Sequence, residues 1–259
     1  MGKSSGILAA TALAALSFTT GAEAGGAGIG GCYVRADAGY GWNTDDKGIA
    51  QISPGFGTAI GPVEQPNFTD SWFGEVGIGC RLVRQHMSGG GSIKDAPVAS
   101  YHPSPIRGDI TYAFHGERKF HGVPLNPPSP PPTFVDPVDA KLHTNTLMFN
   151  VYYDLPAMHR ITPYIGAGLG MAFLEMRDIT FTNGVVVRLD SKDETKFAWS
   201  LMAGVSIDLG SKMVLDVGYR YLNVGDITAS SPAHGYSLKL NDTSQHQAKI
   251  GIRIPLSFN

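Results

Sequence analysis

The last patterned segment of the chain shows its organisation most clearly. From His246 to Phe258, alternate positions read His246, Ala248, Ile250, Ile252, Ile254, Leu256 and Phe258. The positions between them are Gln247, Lys249, Gly251, Arg253, Pro255 and Ser257. A period of two is that of a β-strand, whose successive side chains point to opposite faces. The run from Cys32 behaves alike, with Cys32, Val34, Ala36, Ala38, Tyr40 and Trp42 against Arg35, Asp37, Gly39 and Gly41. Six further segments alternate near residues 72–83, 108–117, 144–154, 163–174, 196–208 and 213–223. The pattern predicts an all-β protein of eight strands.

A soluble β-sandwich also alternates, so the contents of the two faces have to decide. The second face here is mostly glycine and small residues with isolated charges of both signs. That suits a narrow interior shared by eight strands, where bulk is limited and every charge needs a partner. Aromatic residues gather near strand ends, at Tyr40, Trp42, Trp72, Tyr153, Trp199, Tyr219, Tyr221 and Phe258, as in the girdles of membrane barrels. No stretch after the N-terminus is apolar enough to span a bilayer as a helix. A closed barrel is the other structure that leaves no backbone group unpaired in lipid. The expectation is an eight-stranded antiparallel, up-and-down transmembrane β-barrel with long outer loops.

The N-terminus gives the address. Lys3 is the only charge before Glu23, an apolar run extends from about Ile7 to Phe18, and Ala22-Glu23-Ala24 follows. These are the parts of a secretory signal peptide. Residues 1–24 are therefore expected to be removed by cleavage after Ala24, leaving 25–259 as the barrel. Segments 43–71, 118–143, 175–195 and 225–243 are long and polar, whereas 155–162 and 208–212 are short. Long outer loops alternating with short turns place both termini in the periplasm. Residues 84–107 are long where a short turn is expected, which means an insertion or a missed hairpin. Asn183-Gly184 between two apolar runs is a hairpin signal. A direct two-residue hairpin there would mix the faces, so a one-residue bulge is expected near Ser191–Glu194.

Composition narrows the functional classes. Only 16% of the 259 residues are charged, the net charge is −2 and there are 33 glycines, nearly double the roughly 7% of an average domain. Nucleic-acid binding requires a basic face that this balance does not supply. By parity the interior collects Arg35, Asp37, Glu75, Arg81, Asp109, Glu117, Asp208, Asp216, Arg220, Lys249 and Arg253. Five basic and six acidic groups make a near-balanced, salt-bridged filling, with Asp216 and Arg220 able to pair with Lys249 and Arg253. The alternative is a slow, narrow ion path.

Candidate chemistry is sparse. His86-x-Ser88 and His102-x-Ser104 fall in the anomalous 84–107 segment, and His246 is expected to face lipid without an acidic orienter. No catalytic set emerges. His115, Glu117 and His121 form only a weak metal-type cluster, so no metal and no cofactor is expected. Cys32 and Cys80 sit on adjacent strands, and an oxidising compartment permits a disulfide. If Trp42 lies opposite Trp72, they fall one pair out of register, which leaves the bridge open. The proline-rich stretch 124–137 is expected to be extended in the second outer loop.

Several runs resemble a known family. W-S-L-M-A-G-V-S-I-D-L (199–209), L-D-V-G-Y-R-Y-L-N-V-G-D (215–226), N-V-Y-Y-D-L (150–155), T-P-Y-I-G-A-G-L-G (162–170) and R-G-D-I-T-Y (107–112) look like the small porin-family, OmpA-like or opacity-type outer-membrane barrels of alphaproteobacteria. That resemblance implies eight strands and a structural or surface role, sometimes as adhesin or narrow pore. Members usually end on an aromatic residue read by the assembly machinery, whereas here Asn259 follows Phe258. The partners implied are outer-membrane lipid, the assembly machinery through the C-terminal strand, and a host or neighbouring-cell surface through the loops.

Overall fold

The computed structural model describes residues 27–43, 48–52, 59–88, 98–124, 138–183, 185–188, 192–210, 212–231, 236–240 and 243–256. Residues 1–24 with the expected cleavage site at Ala24, most of the proline-rich stretch and Phe258 lie outside them. The described elements are all strands, β1 to β14 in chain order. Eight make a ring: β1 (Ala27–Trp42), β4 (Ser71–Ser88), β5 (Val98–His115), β7 (Val138–Asp154), β8 (Ile161–Asn183), β10 (Lys192–Gly210), β11 (Met213–Asn223) and β14 (Ser244–Pro255). Each pairs antiparallel with the next, and β1 pairs with β14 to close the barrel. Closure removes the free edges that a sheet would otherwise present.

The expected parity holds along the middle of every strand in the ring. Val34, Val76, Ile110, Phe149, Leu169, Leu201, Val217 and Ile250 are exposed on the outer wall, while Arg35, Glu75, Asp109, Asn150, Ser200, Asp216 and Lys249 are buried inside. At one end of the outer wall, Trp42 and Tyr221 pack on His246 and Trp199 packs on Tyr221, with ring centroids 5.4–6.1 Å apart. His246 therefore sits within an aromatic belt, where the Tyr219 hydroxyl meets its Nδ1.

Two turns at the opposite end are short. Met158 bridges Ile161 in one. In the other, Asp208 caps the Gly210 amide at 2.8 Å, and Gly210 (φ +74°) and Lys212 (φ +64°) take left-handed backbone. The third connection at this end resolves the anomaly at 84–107. Strands β4 and β5 continue past a bulge between Arg81 and Val83, pairing Val83 with Pro103 through Ser88 with Val98. The β1 segment Ala27–Gly30 joins β4 as a third strand. Among the described residues the extra length is a ribbon of the same two strands, with no additional barrel strand.

The first, second and fourth long connections, read from sequence as loops, carry paired strands, and the third carries the hairpin strands expected on either side of Asn183-Gly184, extending past the membrane. These are β2 (Gly48–Ile52), β3 (Ala59–Phe68), β6 (Arg118–Pro124), β9 (Val185–Arg188), β12 (Ile227–Ser231) and β13 (Tyr236–Leu240). The outer sheet runs β12-β13-β2-β3-β6-β7. Its order joins the fourth connection to the first and the first to the second. The polar, glycine- and proline-rich composition of the first, second and fourth connections concealed their strands. Strand β8 has 23 residues, against the roughly 9–11 that cross a bilayer, so the wall extends well past the membrane.

Two register expectations need correction. Residues 192–194 pair with Met176, Glu175 and Leu174 without a shift, so no bulge lies among them; Ser191 is outside the described residues. The same register continues to the tip, where Asn183 pairs with Val185. A bulge occurs instead on the other flank of β8, where Ala140 faces an extra residue between Arg177 and Thr180. Asp178 takes φ +51° there. The second correction is that Trp72 faces Tyr40, two residues from Trp42.

Candidate functional site

The interior of the barrel is the most developed polar arrangement in the molecule. Its centre is Glu75 on β4, fully buried. Arg220 of β11 forms an ion pair with it, and the Lys249 Nζ of β14 lies 3.1 Å away. Arg220 also donates to Gln247, whose amide reaches His115 Nε2 at 3.0 Å. Lys249 continues the chain to Asp37 at 3.9 Å. Asp37 takes two bonds from Arg35, at 2.7 and 2.8 Å. Arg35 then reaches across the lumen to Asp109 at 2.7 Å and to the Tyr152 hydroxyl at 2.9 Å. Asn150 and Tyr33 complete the Asp109 carboxylate. Six strands of the ring are thereby tied through one hydrogen-bonded network.

Towards the short-turn end are two smaller groups. Asp216 accepts from Ser206 at 2.6 Å and from Arg253 at 3.1 Å. Asp154 accepts from Arg107 at 2.9 Å and from the partly exposed Arg81 at 2.6 Å. The guanidinium of Arg107 lies 4.1 Å over the Tyr152 ring and 4.9 Å over Tyr164, while Arg253 lies 5.1 Å over Tyr33. Such stacking supplies favourable electrostatics on faces that no hydrogen bond can reach.

Space for these rings comes from glycine. A Cβ at Gly39 would overlap the Phe73 ring, at Gly166 the Tyr152 ring, and at Gly204 or Gly218 the Tyr164 hydroxyl end. The filling is dense. A cavity lined by His115, Arg118, Thr144, Leu222, Val224, Thr243 and Gln245 measures about 10 Å³, close to the room one water requires. A wider pocket of about 340 Å³ opens at the short-turn mouth beside Arg81, Ser104, Tyr153 and Asp154.

The structure brings together Arg35, Asp37, Glu75, Asp109, Asp216, Arg220, Lys249 and Arg253 inside, with Arg81 at the mouth. Two sequence-assigned interior charges are not there. Asp208 is exposed and caps the β10–β11 turn. Glu117 is exposed past the end of β5 and lies 3.4 Å from His143. Both sit where the strand ends, and parity no longer assigns a face beyond that point. Arg220 pairs with Glu75 of a distant strand, while Asp216 takes Arg253. Buried Arg107, Asp154, His115 and Arg118 were missed as members, although Arg107 and Asp154 share parity with Asp109 and Tyr152. The weak His115–Glu117–His121 cluster does not converge: His115 points inward, and His121 pairs with Asp139 at 2.7 Å.

Cys32 and Cys80 form a disulfide, with Cα atoms 3.9 Å apart. The register from Tyr40–Trp72 to Tyr33–Gly79 brings Cys32 opposite Cys80, and a bulge follows immediately. Gly30 pairs with Arg81 and Tyr33 with Gly79, so Gly31 and Cys32 together face Cys80. Gly31 takes φ +59°, which suits a glycine at the first position of a bulge. Alkylation of unfolded protein without reductant is expected to label neither sulfur, and labelling after reduction to add two groups by mass. Two groups added without reductant would count against the bridge.

Comparison with known proteins places the chain. A family model described as "Outer membrane protein beta-barrel domain" matches residues 6–253. An uncharacterized protein of Brucella abortus is 40% identical over 103 residues, 38% of this chain and 35% of that protein. Outer membrane protein PagN of Salmonella typhimurium is 28% identical over 127 residues, 49% of this chain and 53% of that protein. The chain thus spans about a third to a half of the length of these curated relatives. Among solved structures, OprG from Pseudomonas aeruginosa aligns over 89% of this chain and 98% of its own at 13% identity and TM-score 0.48. Neisserial surface protein A aligns over 88% and 99% at 17% identity and TM-score 0.45. The family match over nearly the whole chain, on a closed eight-stranded ring, makes this protein a member of the outer membrane protein β-barrel domain family, residing in the outer membrane.

Proposed function

We propose that this protein is a structural barrel of the envelope, its lumen plugged by its own ion network, and that it presents surface on the outer side without catalysis. The short turns and both termini then lie in the periplasm, and the outer sheet β12-β13-β2-β3-β6 stands above the membrane. Outer-membrane lipid surrounds the wall, β14 serves as the strand read by the assembly machinery, and the outer sheet meets host or neighbouring cells. The observation that carries this reading is the pairing of buried charges across the lumen at 2.7–3.1 Å. Eight strands leave an interior that side chains fill, and a fixed charge already paired has no coordination to offer a passing ion. A buried pair adds little net stability over an apolar filling; here it closes the lumen and selects which strands meet.

The competing class is a narrow diffusion channel. Purified protein in planar bilayers is expected to give no well-defined conductance steps. Large, reproducible steps would overturn the plug and favour the channel.

A further inference from the structure

On the outside of the barrel, above the aromatic belt, three cations stand directly beside one another. Lys119 of β6 pairs in register with Lys141 of β7, and Lys141 pairs in register with Arg177 of β8. Their neighbours Phe120, Ala140, Leu142 and Met176 are buried, so all three side chains lie on the outward face. Adjacent strands are about 4.8 Å apart, which puts the three in a row about 10 Å long. Like charges directly opposite each other in a sheet are destabilising.

The molecule compensates two of the three. Asp178, placed by its left-handed bulge, holds Lys141 at 2.9 Å, and Glu175 binds Arg177 through Nε at 2.6 Å. Lys119 has no ion-pair partner among the described residues, yet its position is held firmly. Its backbone exchanges hydrogen bonds with Thr69, the amide donating to Thr69 Oγ1 and the carbonyl accepting from the Thr69 amide, both at 2.9 Å.

The height of the row matters. Phe173, exposed on the outer wall, is four residues below Arg177 on β8, about 13 Å along the strand and less once strand tilt is included. Headgroups occupy several ångströms beyond each hydrocarbon boundary, and lysine and arginine side chains can reach further down to them. We propose that Lys119, Lys141 and Arg177 dock a phosphorylated headgroup of outer-leaflet lipid. A phosphate supplies the anion that Lys119 lacks and relieves the like-charge row. Lipid is the occupant because the row lies on the lateral wall, continuous with the lipid-facing surface below, whereas a soluble polyanion would be offered the upper rim. The proposal rests on the orientation given above.

The test uses full-length barrel folded in detergent and titrated with bisphosphorylated lipid A in mixed micelles. Tight binding is expected, and removing both phosphates from the lipid is expected to weaken it at least about tenfold, the loss of one or more charge-assisted bonds. Lys119→Gln breaks no ion pair and is expected to weaken binding by a similar factor while heat-modifiable mobility stays unchanged. The triple variant Lys119→Gln, Lys141→Gln, Arg177→Gln is expected to abolish the phosphate dependence. Equal affinity for the dephosphorylated lipid, unchanged binding by the triple variant, or selective binding of heparin instead of lipid A would each overturn the proposal. Orientation is read separately, by treating Lys212→Cys, in the short β10–β11 turn and exposed, with a membrane-impermeant maleimide in intact and in permeabilised cells. Labelling only after permeabilisation is expected, and labelling in intact cells would sink the orientation whatever the lipid result.

Discussion

Glu75→Gln is expected to unfold the barrel or bring it close to unfolding. The substitution leaves Arg220 and Lys249, both buried, without the carboxylate they share. Breaking a buried ion pair by removing one partner costs about 3–5 kcal/mol, against a total stability of about 5–15 kcal/mol. Two cations then face each other, so the upper end of that range applies. Urea unfolding in detergent, followed by heat-modifiable gel mobility, should show the midpoint falling sharply or the folded band disappearing. The triple replacement Glu75→Met, Arg220→Met, Lys249→Met is expected to recover much of the loss, since an apolar filling of similar volume avoids the desolvation of charge. A single variant with an unchanged midpoint would show that water or a nearby group neutralises the site.

Gly39→Val carries the second largest effect, through sterics and without any change of charge. A Cβ at Gly39 meets the Phe73 ring and the Ala248 carbonyl oxygen of the neighbouring strand. Phe73 is itself buried against His115, with ring centroids 5.4 Å apart, so it has nowhere to retreat. Overpacking a dense interior costs about 1–3 kcal/mol and sometimes more; the backbone oxygen pushes this case to the top of that range. Gly74→Val is the control. Its Cβ meets nothing within 4 Å, and a stability change within about 0.5 kcal/mol is expected. Phe73→Leu placed together with Gly39→Val should restore part of the loss. Equal tolerance at positions 39 and 74 would mean that the interior is looser than the ring packing indicates.

The two substitutions also mark how far sequence reading reaches. That Gly39 and Glu75 face inward follows from parity alone, and so do Arg35, Asp109 and Lys249. Parity failed at Asp208 and Glu117, which lie where strands give way to turns and the alternation has no face left to assign. The polar, glycine- and proline-rich composition of the long connections hid β2, β3, β6, β12 and β13, although β6 does alternate, with Arg118 and Phe120 buried and Lys119 and His121 exposed. The described parts of the long 84–107 segment, 84–88 and 98–107, proved to be β4 and β5 continuing as a ribbon. The disulfide stayed undecided because the β1–β4 register, two residues away from a Trp42–Trp72 pairing, decides it.

By itself the sequence determined the class of the molecule. Period two is a local property of consecutive residues, so eight strands, their outer and inner faces and the glycine-lined interior can all be read without knowing which strand meets which. Partnership could not be read that way. Glu75 meets Arg220 and Lys249 across 145 and 174 residues of chain, and Lys119 stands beside Lys141 and Arg177 only through the pairings of β6 with β7 and β7 with β8. Register, bulges and closure are set by every pairing in the ring at once. A shift of one residue would exchange the inner and outer faces of a strand, and only the closed tertiary structure specifies which charge finds which.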